Sequence, residues 1–113
     1  MKAGSIVRVL PRAEWPDDIV WIDGMTTEAD AAAWPADDLL VLTSTGRSSG
    51  VLLSLNQTRD ARGFFYQRGA MLPFAVLAVV VPDEHRWDLA RSGSEIVAFA
   101  RWYASLNLVG GTP

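Results

Sequence analysis

The chain has 113 residues, half of them hydrophobic and a fifth charged, with a formal net charge of −3 and no cysteine. This composition excludes a disordered chain and predicts a single domain, residues 1–113, with a buried core. The charge argues against a protein that neutralises phosphates over a broad surface, and the lack of cysteine excludes disulfides and thiolate metal sites. The N-terminus lacks the unbroken apolar region of a signal peptide. We therefore expect a soluble cytoplasmic domain without a membrane segment.

The first half of the chain predicts a strand–helix–strand unit. Residues 5–10 form a plausible first strand, and two later apolar runs, residues 19–22 and 39–43, each follow a Trp-Pro pair and two aspartates that favour a turn. Between those runs, residues 27–34 are rich in alanine and begin with Thr27, which has an acidic residue three positions later, as in a capping box. A helix here would place the two flanking strands parallel to each other.

The next segment predicts a β-hairpin. Residues 44–50 contain two glycines and four hydroxyl side chains, which is typical of a loop longer than a two-residue turn. Residues 51–57 alternate as a strand does, and the alternation groups Val51, Leu53 and Leu55 on one face. A strand with one polar face is expected near a sheet edge.

Residues 74–81 are uninterrupted by any charged side chain and predict a central strand covered on both faces. Residues 92–95 resemble a capping box, and apolar side chains then follow at helical spacing at Ile96, Phe99, Tyr103 and Leu106. The sequence therefore predicts an α+β fold: a mixed β-sheet of about five or six strands, a short helix in the N-terminal half and a C-terminal helical segment packed on the sheet.

Two groups of residues are candidates for binding a small ligand. Arg47 and Ser48 lie in a loop with glycines, where backbone amides and a guanidinium can bind an anion, although the spacing and the lysine of a P-loop are absent. Asp83, Glu84 and His85 follow the predicted central strand, and ligands gather at such strand ends. We expect no metal and no cofactor, since a lone histidine in a chain without cysteine makes a poor zinc site.

Five tryptophans are many for this length. Trp21 and Trp102 fit the pattern of the core, whereas Trp15, Trp34 and Trp87 adjoin turns or acidic residues and are candidates for an interface. Tryptophan is enriched among residues that anchor protein–protein contacts.

Residues 62–66 match in part the basic–glycine–aromatic start of the RNA-stacking segment in RNA-recognition motifs. Phe65 stands where that pattern has a small residue, and the expected order of elements also differs. Because of these departures and the negative net charge, RNA binding through Arg59, Arg62, Phe64 and Tyr66 is the third functional hypothesis, after the two given next.

The favoured prediction is a non-catalytic binding domain that contacts a protein partner or a second copy of itself as a homodimer. The alternative is a small-molecule site, for an anionic ligand or for catalysis, at the end of the sheet.

Overall fold

The computed structural model describes residues 3–81, together with Ala98 and Trp102. Within residues 3–81 the chain forms one sheet, one short helix and two 3₁₀ turns. The strands are β1 (Ile6–Val9), β2 (Leu40–Thr45), β3 (Ser49–Arg59), β4 (Phe65–Pro73) and β5 (Leu77–Val81); the helix is α1 (Glu28–Ala32), and the 3₁₀ turns are Arg12–Glu14 and Phe74–Val76.

The described strands form a fully antiparallel sheet in the order β4-β3-β2-β1-β5. Strands β2, β3 and β4 follow one another as a meander, and β5 then pairs with the far side of β1. The predicted α+β fold with a mixed sheet is therefore wrong, because every strand pair among the described residues is antiparallel and the helix α1 has only five residues.

The predicted parallel unit fails because residues 19–22 do not form a strand. Ile19 and Trp21 pack against the core, whereas Val20 and Ile22 point to solvent. The side chains of this segment thus alternate between buried and exposed as in a strand, but the segment is not hydrogen-bonded to a neighbouring strand. Proline at position 16 and Gly24, which has a φ of 91°, bound it on either side.

Of the helix expected near residues 27–34, only the five-residue turn α1 forms. The Thr27 hydroxyl accepts a hydrogen bond from the Asp30 N–H at 3.2 Å, as the spacing predicts, and Ala31 is buried. One turn is too short to make a helical layer. The C-terminal helical segment expected on the sheet lies outside the described residues, except for Ala98 and Trp102, which are helical. Trp102 is 58% exposed, so its predicted place in the core is wrong.

The apolar run at residues 74–81 is not the centre of the sheet. It begins with a 3₁₀ turn, in which the Phe74 N–H donates to the Ser48 carbonyl at 2.9 Å and the Val76 carbonyl accepts from the Leu10 N–H at 2.8 Å. Only β5 continues as a strand, and among the described strands it pairs with β1 alone. Proline at position 73 and this turn divide what looked like one long strand.

The β2–β3 hairpin is confirmed, with residues 46–48 between the strands and the Gly46 N–H donating to the Ser49 carbonyl at 2.8 Å. Gly50 is buried where β2 and β3 come close. A Cβ at this position would meet the Leu42 side chain, the Phe74 ring at 3.0 Å and the Ser44 carbonyl at 3.1 Å. The hairpin therefore requires the glycine for space.

The predicted grouping of side chains on β3 is wrong. Leu52 and Ser54 are fully buried, while Val51 is exposed and Leu53 is half-buried. The pairing with β4 shifts between Leu53 and Gln57, and this irregularity breaks strict alternation.

The main hydrophobic cluster lies on one face of the sheet, where the segment between β1 and β2 packs against it. Its large buried side chains come from β1 to β4, from the 3₁₀ turn before β5 and from the residue that follows the C-cap of α1: Val7, Val9, Leu40, Leu42, Leu52, Leu72, Val76 and Trp34. Ile6 and Val41, which pair with each other on the opposite face, are also fully buried. At the rim of the cluster the buried Ser54 hydroxyl donates to the Asp38 carboxylate at 2.6 Å and accepts from the Asn56 N–H at 3.1 Å. The Asn56 amide donates to the same carboxylate oxygen at 2.9 Å. These bonds satisfy the polar groups where β3 leaves β2.

Candidate functional site

The outer half of the β3–β4 hairpin extends beyond the rest of the sheet. The last residue of β3 paired in register with β2 is Ser54, whereas pairing with β4 continues to Arg59 and Phe65. We refer to residues 56–67 as the ribbon. It is a two-stranded structure with no third described strand beside it, and isolated two-stranded ribbons are marginally stable in water.

Asp60 shapes the tip of the ribbon. Its N–H donates to the Phe64 carbonyl at 2.9 Å, and its carboxylate accepts from the Arg62 N–H at 2.9 Å and the Phe64 N–H at 3.0 Å. Gly63 has a φ of 86°, a conformation that side chains disfavour, and its N–H donates to the Asp60 carbonyl at 3.0 Å. One aspartate and one glycine therefore fix the turn.

The three residues that follow this turn are aromatic, and their side chains are exposed. Phe64 is 67% exposed, Phe65 is 59% and Tyr66 is 48%. The Arg59 guanidinium lies 4.6 Å from the centre of the Phe65 ring, within the range of a cation–π contact. Arg62 is also exposed, so the ribbon presents aromatic and cationic groups together.

Trp34 lies at the base of the ribbon and belongs to the core. It is 6% exposed, the Arg68 guanidinium covers its ring at 4.2 Å, and its buried indole N–H has no hydrogen-bond acceptor. Trp34 therefore offers little surface to a partner, and its burial does not support the predicted role in an interface. The sequence did not reveal this, because the neighbouring Trp-Pro turn is typical of a surface position.

Trp15 is half-buried beside the core. Its indole N–H donates to the Leu10 carbonyl at 2.8 Å, and its ring centre lies 5.6 Å from that of Trp21. The guanidinium of Arg12 lies 6.0 Å from the same ring. Trp15 thus anchors the loop that covers the core, while the third candidate, Trp87, lies outside the described residues.

The two groups of ligand-binding candidates are not brought together among the described residues. Arg47 and Ser48 are exposed in the β2–β3 loop, and Asp83, Glu84 and His85 lie outside the described part of the chain. Beside that loop is a shallow cleft of about 250 Å³, lined by Ser44, Thr45, Gly46, Ser49, Gly50, Val51 and Met71. Its described lining carries hydroxyls but no charged side chain, so the anion site stays a prediction.

Charge is divided unevenly between two parts of the chain. Residues 13–38 contain eight acidic and no basic side chains: Glu14, Asp17, Asp18, Asp23, Glu28, Asp30, Asp37 and Asp38. Residues 39–81 contain four arginines and only one acidic residue, Asp60. Counting charge by segment would have pointed to the ribbon.

Comparison with models of protein families, with curated proteins and with solved structures finds no match to this chain. Within residues 3–81, no group of three or more histidine, aspartate or glutamate side chains is placed to hold a metal ion. No helix in that part of the chain has the length and apolar character needed to span a bilayer.

Proposed function

We propose that the chain is a non-catalytic protein-interaction domain whose contact surface is the ribbon. The observation that carries this proposal is the run of Phe64, Phe65 and Tyr66, each about half exposed or more, on a hairpin that projects beyond its sheet. Exposed apolar patches of this kind mark sites of association on soluble proteins.

The composition of the ribbon fits a protein contact. Tyrosine and arginine are enriched among the residues that dominate binding energy, and a large aromatic ring provides contact area with few rotatable bonds. Arg59 restrains the Phe65 ring before any partner binds, which lowers the conformational entropy lost on association. The partner favoured by this chemistry is a surface that joins acidic and apolar side chains.

Single-stranded RNA is the second candidate, because Phe64 and Tyr66 are exposed near two arginines and bases stack on such rings. Protein is favoured because the ribbon is only weakly cationic: Arg59 and Arg62 are offset in part by Asp60. Affinity for a phosphate backbone grows with the number of phosphates neutralised, and two arginines neutralise few.

Fluorescence anisotropy with three labelled probes tests the proposal. The probes are a peptide that alternates aspartate with valine and isoleucine, the same peptide with lysine in place of aspartate, and a uridine-rich single-stranded RNA. We expect the acidic peptide alone to bind at low salt. Binding should be lost in the double variant Arg59→Glu/Arg62→Glu and weakened at least about tenfold by Phe65→Ala, since that ring is an anchor of the surface.

The matched control is Arg47→Glu, which reverses an exposed arginine on the β2–β3 loop and should leave peptide binding unchanged. Circular dichroism of every variant shows that the fold is retained. The proposal is overturned if the acidic peptide does not bind, if the ribbon variants bind as well as the parent chain, or if RNA is the probe that binds.

A further inference from the structure

The chain itself carries a surface that matches the partner expected for the ribbon. We refer to residues 16–24 as the acidic loop. Val20 is 74% exposed and Ile22 is 58% exposed, and the exposed carboxylates of Asp17, Asp18 and Asp23 flank them. The inward packing of Ile19 and Trp21 holds the loop against the core, so its outer side chains face solvent.

The outer apolar side chains of this loop lie on a face that the described part of the chain leaves exposed to solvent. Val20 and Ile22 alternate with the buried-side residues Ile19 and Trp21, as on a strand whose second face is meant to be covered. Scattered apolar residues at a surface are common, but Val20 and Ile22 lie two positions apart, are both more than half exposed and are flanked by three carboxylates.

The ribbon and the acidic loop do not pair with each other within one molecule. Among the described residues, one pair of opposite charges lies within 4 Å: the Arg12 guanidinium and the Glu28 carboxylate, 3.1 Å apart. Neither Arg59 nor Arg62 has a carboxylate of the acidic loop as an ionic partner. Among the described residues, the two surfaces therefore do not neutralise each other within one molecule.

We propose that the chain associates with itself through contact between the ribbon of one copy and the acidic loop of another. This inference rests on the proposed function of the ribbon and names its partner. Arg59 and Arg62 face Asp17, Asp18 and Asp23 across the contact, while the aromatic rings cover the outward apolar side chains of the loop. Charge complementarity sets the orientation of such a contact and raises its rate of formation.

Each contact is small, so the association is expected to be weak and sensitive to salt. A standard stable interface buries about 1,600 Å² in total, and a hairpin tip on one loop covers less than that. Exposed ion pairs are screened within about 10 Å at 0.1 M salt, so raising sodium chloride from about 50 mM to about 500 mM should dissociate the complex.

Sedimentation velocity on charge-reversed variants tests the inference. The ribbon variant is Arg59→Glu/Arg62→Glu, and the loop variant is Asp17→Arg/Asp18→Arg. We expect the parent chain to associate at low salt and each variant alone to remain monomeric. An equimolar mixture of the two variants should associate again, because the reversed ribbon then faces the reversed loop, and so should a single chain carrying all four substitutions.

Arg47→Glu serves as the control for net charge and should associate like the parent chain. The inference is overturned if the parent chain is monomeric at every concentration, or if the variants associate alone as strongly as the parent. Its failure differs from failure of the proposed function: a monomeric parent that binds the acidic peptide through the ribbon would remove self-association and leave the interaction domain. A chain that binds no peptide would remove both.

Discussion

The body of the sheet and the ribbon are built from the same two strands but are held by different interactions. In the body, β3 pairs with a strand on each side, and Leu52 is fully buried. In the ribbon, β3 pairs with β4 alone, and the largest side chains face solvent. Side chains in the body of the hairpin are therefore buried in the fold, whereas the large side chains of the ribbon remain exposed.

On the proposed function, this difference separates the residues that stabilise the fold from those that bind a partner along a single hairpin. Apolar burial in the body supplies the free energy of folding, and the ribbon depends on the body to hold it in place. Substitutions in the body should lower stability, whereas substitutions in the ribbon should change binding and leave stability nearly unchanged. Three further experiments examine this contrast, beginning with the largest expected effect.

Replacing Leu52 with alanine should strongly destabilise the fold. A fully buried leucine reduced to alanine loses about 2–5 kcal/mol of unfolding free energy, which lowers the melting temperature by about 8 °C or more. The control is Val51→Ala, one position away on the exposed side, which should cost no more than about 1 kcal/mol. Equal losses from the two variants, measured by thermal unfolding, would mean that the assignment of the buried face is wrong.

Adding a methyl group to two strand glycines should give unequal results. Gly50→Ala should cost about 1–3 kcal/mol, since the new Cβ meets Leu42, Phe74 and a backbone carbonyl. Gly69→Ala is the matched variant, because its Cβ would make only ordinary contact, 3.7 Å from the Leu52 carbonyl, and alanine suits a strand better than glycine does. Urea unfolding gives both values; a stable Gly50→Ala variant would contradict the close approach of β2 and β3.

The smallest effect on global stability is expected from Asp60→Ala. This variant removes the carboxylate that accepts the N–H groups of Arg62 and Phe64, so the tip of the ribbon should open locally. We expect faster amide hydrogen exchange in residues 60–64 and a loss of less than about 1 kcal/mol in unfolding free energy. Unchanged exchange at the tip would show that the pairing of β3 with β4 alone fixes the turn.

Local features of the fold could be predicted from the sequence, whereas the pairing of strands could not. The first strand, the Thr27 cap and the β2–β3 hairpin each depend on residues close together in the chain, and each forms. The sheet order depends on which distant strands meet. The run at residues 74–81 suggested a central strand because an apolar segment does not reveal a turn at Phe74–Val76 or its hydrogen bonds to residues far away in sequence.

The candidate site was anticipated only in part. The sequence singles out Phe64 and Tyr66 only through a partial match to an RNA-stacking segment, in which Phe65 departs from the pattern. Their exposure follows from the length of the hairpin beyond β2, which no local pattern encodes. The division of charge between residues 13–38 and 39–81 is the one feature of the sequence that separates the proposed ribbon surface from the acidic loop.

Thr26 limits how this sheet can grow. Its N–H donates to the Met71 carbonyl at 3.0 Å, and its hydroxyl accepts from the Met71 N–H at 3.1 Å. A single loop residue thus occupies both backbone groups that an edge strand would offer at this position. Unprotected edges invite strand addition and fibrous aggregation. With both backbone groups of Met71 occupied, a foreign strand cannot pair along the whole of β4, and only the part of this edge before Met71 can accept one.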